Sequence, residues 1–256
     1  MTVETLLRLA LVPTAVWLAS LAARRWGHAV SGYLGGLPMI GGPITLFLAL
    51  DIGPAFAARS ALFTLAAIVG QAAHLLAFAC AARSGRWALS LAAGWAAFAA
   101  ASITVSMLPL QPPLALALAV AALAAAARWL PREKGPTVAP RIPPIELRLR
   151  VLAAFALAAL ILWSAPVFGP AVSGVLLSVP VTGSIMPPFT LALYGYDALA
   201  RLLRGFVVGL SGFTAFFAAL ALGLGTWGIV PVFVAALALA LATVFAVDRA
   251  ARWRKS

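Results

Sequence analysis

The chain has 256 residues, of which 64% are hydrophobic and only 9% charged, and its mean hydropathy is +1.07. An ordinary soluble domain is about half apolar, so a water-soluble globular domain is excluded: this chain has no means of hiding its apolar surface from water. The formal net charge of +12 would suggest nucleic acid as a partner of a soluble domain. Here the basic residues sit in short connectors between apolar stretches, which is a membrane-topology signal and not a nucleic-acid footprint.

Nine apolar stretches follow one another along the chain, each close to the roughly 20 residues that cross a hydrocarbon core of about 30 Å. The first, Thr5 to Ala23, begins beside Glu4 instead of a basic segment, is followed by Arg24 and Arg25, and lacks a small-residue cleavage motif. It reads as a retained helix and not as a signal peptide. His28 to Leu50, Ser60 to Ala82, Trp87 to Leu108 and Pro112 to Ala127 come next. The fourth and fifth stretches are separated only by Pro109 to Pro113, and a re-entrant hairpin there would change the parity. Residues 131–147, with prolines at 136, 140, 143 and 144, form the one long polar segment and read as a cytoplasmic linker. Beyond it lie Leu149 to Ala165, Gly169 to Tyr194, Gly205 to Leu224 and Trp227 to Val247. The expected fold class is therefore an all-α polytopic membrane protein with about nine transmembrane helices. Residues 1–130 hold the first four helices plus a connecting fifth, and residues 148–256 hold helices six to nine. Tryptophans near the ends of the stretches fit interfacial anchoring.

Cytoplasmic connectors carry an excess of lysine and arginine. With the N-terminus outside and the C-terminus inside, 16 of the 18 basic residues fall on the inner side, and only Arg8 and Arg59 fall outside. The alanine- and arginine-rich composition and short loops point to a bacterial cytoplasmic (inner) membrane.

The two halves carry a repeated motif. At an offset of 142, Gly27 to Gly41 (GHAVSGYLGGLPMIG) matches Gly169 to Gly183 (GPAVSGVLLSVPVTG) at eight of fifteen positions, including Ser31/Ser173, Gly32/Gly174, Pro38/Pro180 and Gly41/Gly183. After a three-residue insertion, PITLFL from Pro43 matches PFTLAL from Pro188 at four of six positions, and Arg59 pairs with Arg204. Corresponding helices are five spans apart, and an odd number reverses orientation, so the repeat is expected to be inverted. That architecture is common among secondary transporters, which alternate access to a central site by exchanging the conformations of two halves.

Both copies place proline and glycine in mid-span: Pro38, Gly41, Gly42 and Pro43 in the second helix, Pro180, Gly183, Pro187 and Pro188 in the seventh. Proline removes a backbone donor and clashes with the preceding turn, while glycine lets the chain leave helical geometry. The expectation is two interrupted helices whose freed backbone groups line a polar cavity. Pro43 and Pro188 each suit the first turn of a restarting half-helix, with Thr45 and Thr190 just inside it. Gly41, Gly42, Thr45, Thr182, Gly183, Ser184 and Thr190 are thus the candidate substrate-binding residues, and the positive ends of two half-helices favour an anion or a carboxylate-bearing metabolite. Ordinary proline kinks with close glycine packing are the alternative.

All six acidic residues, Glu4, Asp51, Glu133, Glu146, Asp197 and Asp248, fall in connectors or at span ends, which argues against a buried-acid relay. His74 is the titratable candidate at depth, with Gln71 three residues away on the same face; the alternative is a neutral histidine bonded to a neighbouring helix. Neither has a counterpart in the second copy, where Phe216 and Ala219 stand instead. The lone cysteine, Cys80, excludes an intramolecular disulfide and reads as a small core residue. There is no zinc-ligand spacing, no H-E-x-x-H, no G-x-S-x-G and no carboxylate pair at depth, so an enzyme, a metal site and a cofactor are not expected. The reading is a small secondary transporter of a small solute, with sodium or a proton as candidate coupling ion; a channel or lipid-translocating protein is the alternative. The expected partners are the lipid bilayer and a small-molecule solute, with homo-oligomerisation left open and no nucleic acid.

Overall fold

A computed structural model describes residues 28–132 and 143–253, together with Pro13, Thr14 and Trp17. Apart from those three residues, the expected span Thr5 to Ala23 lies outside the described residues, as do residues 133–142 of the linker. All regular structure among the described residues is helical. The elements are α1 (28–36), α2 (Gly41–Asp51), α3 (Pro54–Ala66), α4 (Ile68–Ala81), α5 (Trp87–Ser106), α6 (Pro112–Trp129), α7 (Pro144–Leu177), α8 (Val181–Gly223) and α9 (Ile229–Trp253).

Six continuous helical stretches among the described residues are long and apolar enough to cross a membrane: His28–Asp51, Pro54–Ser84, Trp87–Ser106, Pro112–Trp129, Pro144–Gly223 and Ile229–Ala251. They make this a multi-pass membrane protein by length and composition. The fifth stretch has 80 residues. At 1.5 Å per residue a straight rod of that length would reach about 120 Å, roughly four bilayer cores. It is no rod. Gly169 (φ 74°, ψ −176°) breaks α7, Gly195 (φ 76°, ψ −172°) breaks α8, and Ser178 to Pro180 separate the two. Both glycines occupy backbone conformations that a side chain would strain.

The outer surface is rich in large apolar side chains, Met107, Trp163, Val167 and Val230 among the most exposed. The interior is tied together by close backbone contacts. On α1, Gly32 and Gly36 stand four residues apart; on α8, so do Gly205 and Gly209. A methyl group placed on Gly36 would lie 2.8 Å from the Leu210 nitrogen, and one on Gly32 would lie 2.8 Å from the Gly205 Cα. The two helices therefore touch by their backbones, the small-xxx-small packing of membrane helices. A second crossing has the same form. Gly174 of α7 lies against Ser60, Phe63 and Thr64 of α3, and Thr64 Oγ1 donates to the Gly174 carbonyl at 2.9 Å. At the far side, α4 packs mainly on α5 and α8 mainly on α9. Arg204 of α8 closes the C-terminal end of α6 by donating from Nε to the Pro131 carbonyl at 2.8 Å and from Nη2 to the Leu130 carbonyl at 2.7 Å. Cys80, expected in the core, is exposed on α4.

The α1–α8 crossing leaves no room for a side chain. Gly209→Leu should lower the thermal midpoint in detergent by several degrees, a loss of at least about 2 kcal/mol from overpacking against backbone. Gly225, where a Cβ meets nothing within 4 Å, supplies the control, and Gly225→Leu should melt as the native chain does. Equal midpoints for both variants would rule out the backbone-contact crossing.

Candidate functional site

Each of the two proline-centred interruptions is a tight turn with the same hydrogen bonds. Between α1 and α2, the Met39 N–H donates to the Leu37 carbonyl and the Gly42 N–H to the Pro38 carbonyl, both at 2.8 Å. Between α7 and α8, the Val181 N–H donates to the Val179 carbonyl at 2.8 Å and the Ser184 N–H to the Pro180 carbonyl at 2.7 Å. Pro180, at φ −78° and ψ 60°, is the centre of an inverse γ-turn. Proline ends the preceding helix because it has no N–H to continue the ladder, and its fixed φ suits the turn. A restarting helix leaves its first N–H groups without intrahelical acceptors. The turns satisfy two at each break. Among the described residues, the N–H groups of Ile40 and Gly41 at one, and of Thr182 and Gly183 at the other, have no backbone acceptor.

These four residues border one cavity of about 60 Å³ lying between the breaks, room for about four to six waters at roughly 10–15 Å³ each. The polar side chains on its wall are Ser31, Gln71, Arg150 and Thr182. Much of the rest is aliphatic and aromatic, including Leu34, Leu157, Leu177, Phe206, Leu210 and Phe213. Arg150 and Leu157 of α7 thus border the same space as Phe206, Leu210 and Phe213 of α8, so the chain folds back on itself between them. Behind Phe213 stands an aromatic cluster: its ring centroid is 4.5 Å from that of Phe217, which is 5.3 Å from Phe216, itself 6.0 Å from Phe233. A methyl group on Gly41 would meet Phe217 Cζ at 3.0 Å, so this glycine lets the aromatic cluster close over the first break.

Of the residues expected to bind substrate, Gly41, Gln71, Thr182 and Gly183 line the cavity, and Gly42, Thr45, His74, Ser184 and Thr190 do not. Thr45 is fully buried, and its Oγ1 donates to the Gly41 carbonyl at 2.7 Å, within its own helix. Ser184 Oγ likewise donates to the Pro180 carbonyl at 2.7 Å. A hydroxyl that back-bonds to the preceding turn is turned away from a ligand. The restart at Pro43 is close to expectation, since α2 begins at Gly41. The expectation for Pro188 was wrong: the helix restarts at Val181, and Pro187 and Pro188 lie inside it. The register shift between the two copies falls between Gly183 and Pro188, which carries Thr190 away from the break.

That misplaced pair of prolines explains His74. Pro187 has no N–H to give the carbonyl four residues before it, and that carbonyl belongs to Gly183. His74 Nε2 lies 3.3 Å from the Gly183 oxygen, and the imidazole is fully buried. The carbonyl accepts, so Nε2 carries the hydrogen. Its ring fills the place of a side chain at Gly94, where a Cβ would come within 2.8 Å of it. His74 is bonded to a neighbouring helix, and its Nε2 meets the carbonyl that Pro187 leaves without an in-helix donor.

Arg150 was not singled out in the sequence, because it sits among the basic residues of the linker and counts there as a topology charge. The structure places it in α7, 4% exposed and on the cavity wall. Its Nη2 donates to Glu146 Oε1 one turn earlier, and Glu146 is itself 5% exposed. The only cue available was spacing: Glu146, Arg150 and Leu157 repeat at helical intervals, so that one stripe of α7 carries all three.

If His74 replaces the donor missing at Pro187, removing the ring should strand a buried carbonyl, costing about 1–3 kcal/mol. His74→Ala should therefore lower the thermal midpoint, and adding Pro187→Ala, which restores an in-helix N–H, should recover part of the loss. Strictly additive effects in this double-mutant cycle would dissociate the two residues. No protein-family model, no curated protein and no solved structure matches the chain, so the cavity is interpreted from its own geometry.

Proposed function

We propose that the protein is a small secondary transporter that carries an anionic solute across a bacterial cytoplasmic membrane by alternating access at the cavity between the two breaks. The observation that carries the reading is the pair of N–H groups at each break that lack a backbone acceptor among the described residues, all four belonging to residues on the wall of one cavity. Two half-helix N-termini converging on one space present partial positive charge to whatever occupies it. Arg150, paired with Glu146, adds a guanidinium to the same wall.

An inverted repeat, with nine spans, the N-terminus outside and the C-terminus inside, is part of this reading. It is supported by the shared motif, by the bias of basic residues and by the pairing of hydrogen bonds 142 positions apart at the two breaks. It is supported again at the helix crossings: Gly32 on Gly205 corresponds, at offsets of 142 and 145, to Gly174 on Ser60. In this topology α1, the first part of α7 and the second part of α8 all run outward. Ser31 and Arg150 then face the cytoplasmic end of the cavity, and the Phe213, Phe216 and Phe217 rings close its outer end. Alternating access exchanges that seal for one on the inner side.

The test is a cysteine scan in a Cys80→Ser background with a membrane-impermeant thiol reagent. Thr182→Cys should label from the cytoplasmic side, and Thr45→Cys should not label from either side. Gly41→Leu and Gly183→Leu should insert normally and lose transport. Saturable, electroneutral or counter-ion-coupled flux is expected in proteoliposomes. Non-saturating electrogenic flux would mean a channel, and normal flux in both leucine variants would remove the breaks from the mechanism.

A further inference from the structure

The cavity wall carries one cationic side chain and otherwise mostly aliphatic and aromatic groups. One guanidinium beside a largely apolar wall complements one carboxylate on a short apolar body. The volume of about 60 Å³ corresponds to about four to six non-hydrogen atoms, counting each as the size of one water. Arg150 already holds a carboxylate, that of Glu146, so the chemistry it accepts is on display within the chain.

We infer that the solute is a short-chain aliphatic monocarboxylate, that it binds Arg150 by displacing the Glu146 carboxylate, and that the displaced Glu146 takes up a proton. This rests on the transporter reading and names its substrate class and coupling. The exchange balances. The incoming carboxylate replaces one carboxylate on the guanidinium, a proton from water neutralises the other, and no bond to carbon forms or breaks. Solute and proton therefore bind together, and the buried charge of the site stays constant. A buried carboxylate deprived of its cation is the costly state, and protonation removes it.

Other ionisable groups lie on the elements around α7. Among the described residues, α2, α3 and α8 pack on α7, and their ionisable side chains include Asp51, Arg59, Asp197, Arg201 and Arg204. Asp51, Arg59 and Asp197 are exposed, Arg204 is engaged by the carbonyls of Leu130 and Pro131, and Arg201 is buried in α8. Buried His28 of α1 stacks edge-on against Tyr194 at 4.9 Å. Among the described residues, Arg150 is the charged group whose field acts on Glu146.

The experiment is calorimetric titration of the purified full-length protein with propionate, in two buffers of different ionisation enthalpy, alongside propionate flux in proteoliposomes. The native protein should bind propionate with uptake of nearly one proton per site near neutral pH. Glu146→Gln should bind propionate without that proton. Arg150→Gln strands a buried carboxylate, so the double variant Glu146→Gln/Arg150→Gln keeps the test independent of folding. Its affinity should fall about ten- to a hundredfold relative to Glu146→Gln, the effect of one charge-assisted hydrogen bond. No propionate binding by the folded native protein, an undiminished proton uptake in Glu146→Gln, or an unchanged affinity in the double variant would each overturn the inference. Binding as predicted without flux would sink the transporter reading alone. Flux of another solute, indifferent to Arg150, would sink the carboxylate inference and leave that reading standing.

Discussion

A polar backbone group in the membrane has no water to turn to, and every interruption of a helix creates several such groups at once. This constraint organises the interior of the protein. Two helices are broken by proline in mid-span, and the bonds that the ladder loses are replaced in three ways. Tight turns around Pro38 and Pro180 satisfy the nearest groups. The imidazole of His74 reaches the Gly183 carbonyl from another helix. The donors that remain are gathered on the wall of a cavity, where a polar occupant can meet them.

The broken helices can form only because their neighbours come close enough to seal them from lipid. Backbone contact between α1 and α8 and between α7 and α3 achieves this with small residues at the crossing points. One crossing uses glycine on both sides. The other uses glycine against serine and threonine, and the Thr64 hydroxyl adds a hydrogen bond across the contact. The aromatic rings of α8 then occupy the space that Gly41 and Gly42 leave open, so one set of small residues serves both packing and the shape of the cavity.

Much of this was legible in the sequence. Hydropathy alone showed long apolar helices, of which six continuous apolar stretches stand among the described residues where nine spans were expected, and the coincidence of Ser-Gly, Pro and Gly in two places located both breaks. Pattern matching failed where register decides function. The repeat motif continues past an insertion, and assigning the restart to Pro188 instead of Val181 moved Thr190 to the wrong depth. Thr45 was assigned near the right place, but the direction of a threonine side chain depends on whether its hydroxyl finds the carbonyl of the preceding turn, which residue spacing does not reveal. Arg150 was hidden by its surroundings: in a run of basic residues each looks like a topology marker, and only the helix phase of α7 turns this one inward. His74 was visible as an intramembrane histidine, yet its role depended on a proline 113 positions away in the chain.

The His74 arrangement also has an evolutionary consequence. Three helices contribute to it: α4 gives the ring, α5 gives the notch at Gly94 that admits it, and α8 gives the proline whose missing donor it replaces. A lineage that lost the ring would strand a carbonyl, and one that filled the notch would expel the ring. The cost of changing any one of these three positions therefore depends on the other two, although no two are neighbours in sequence.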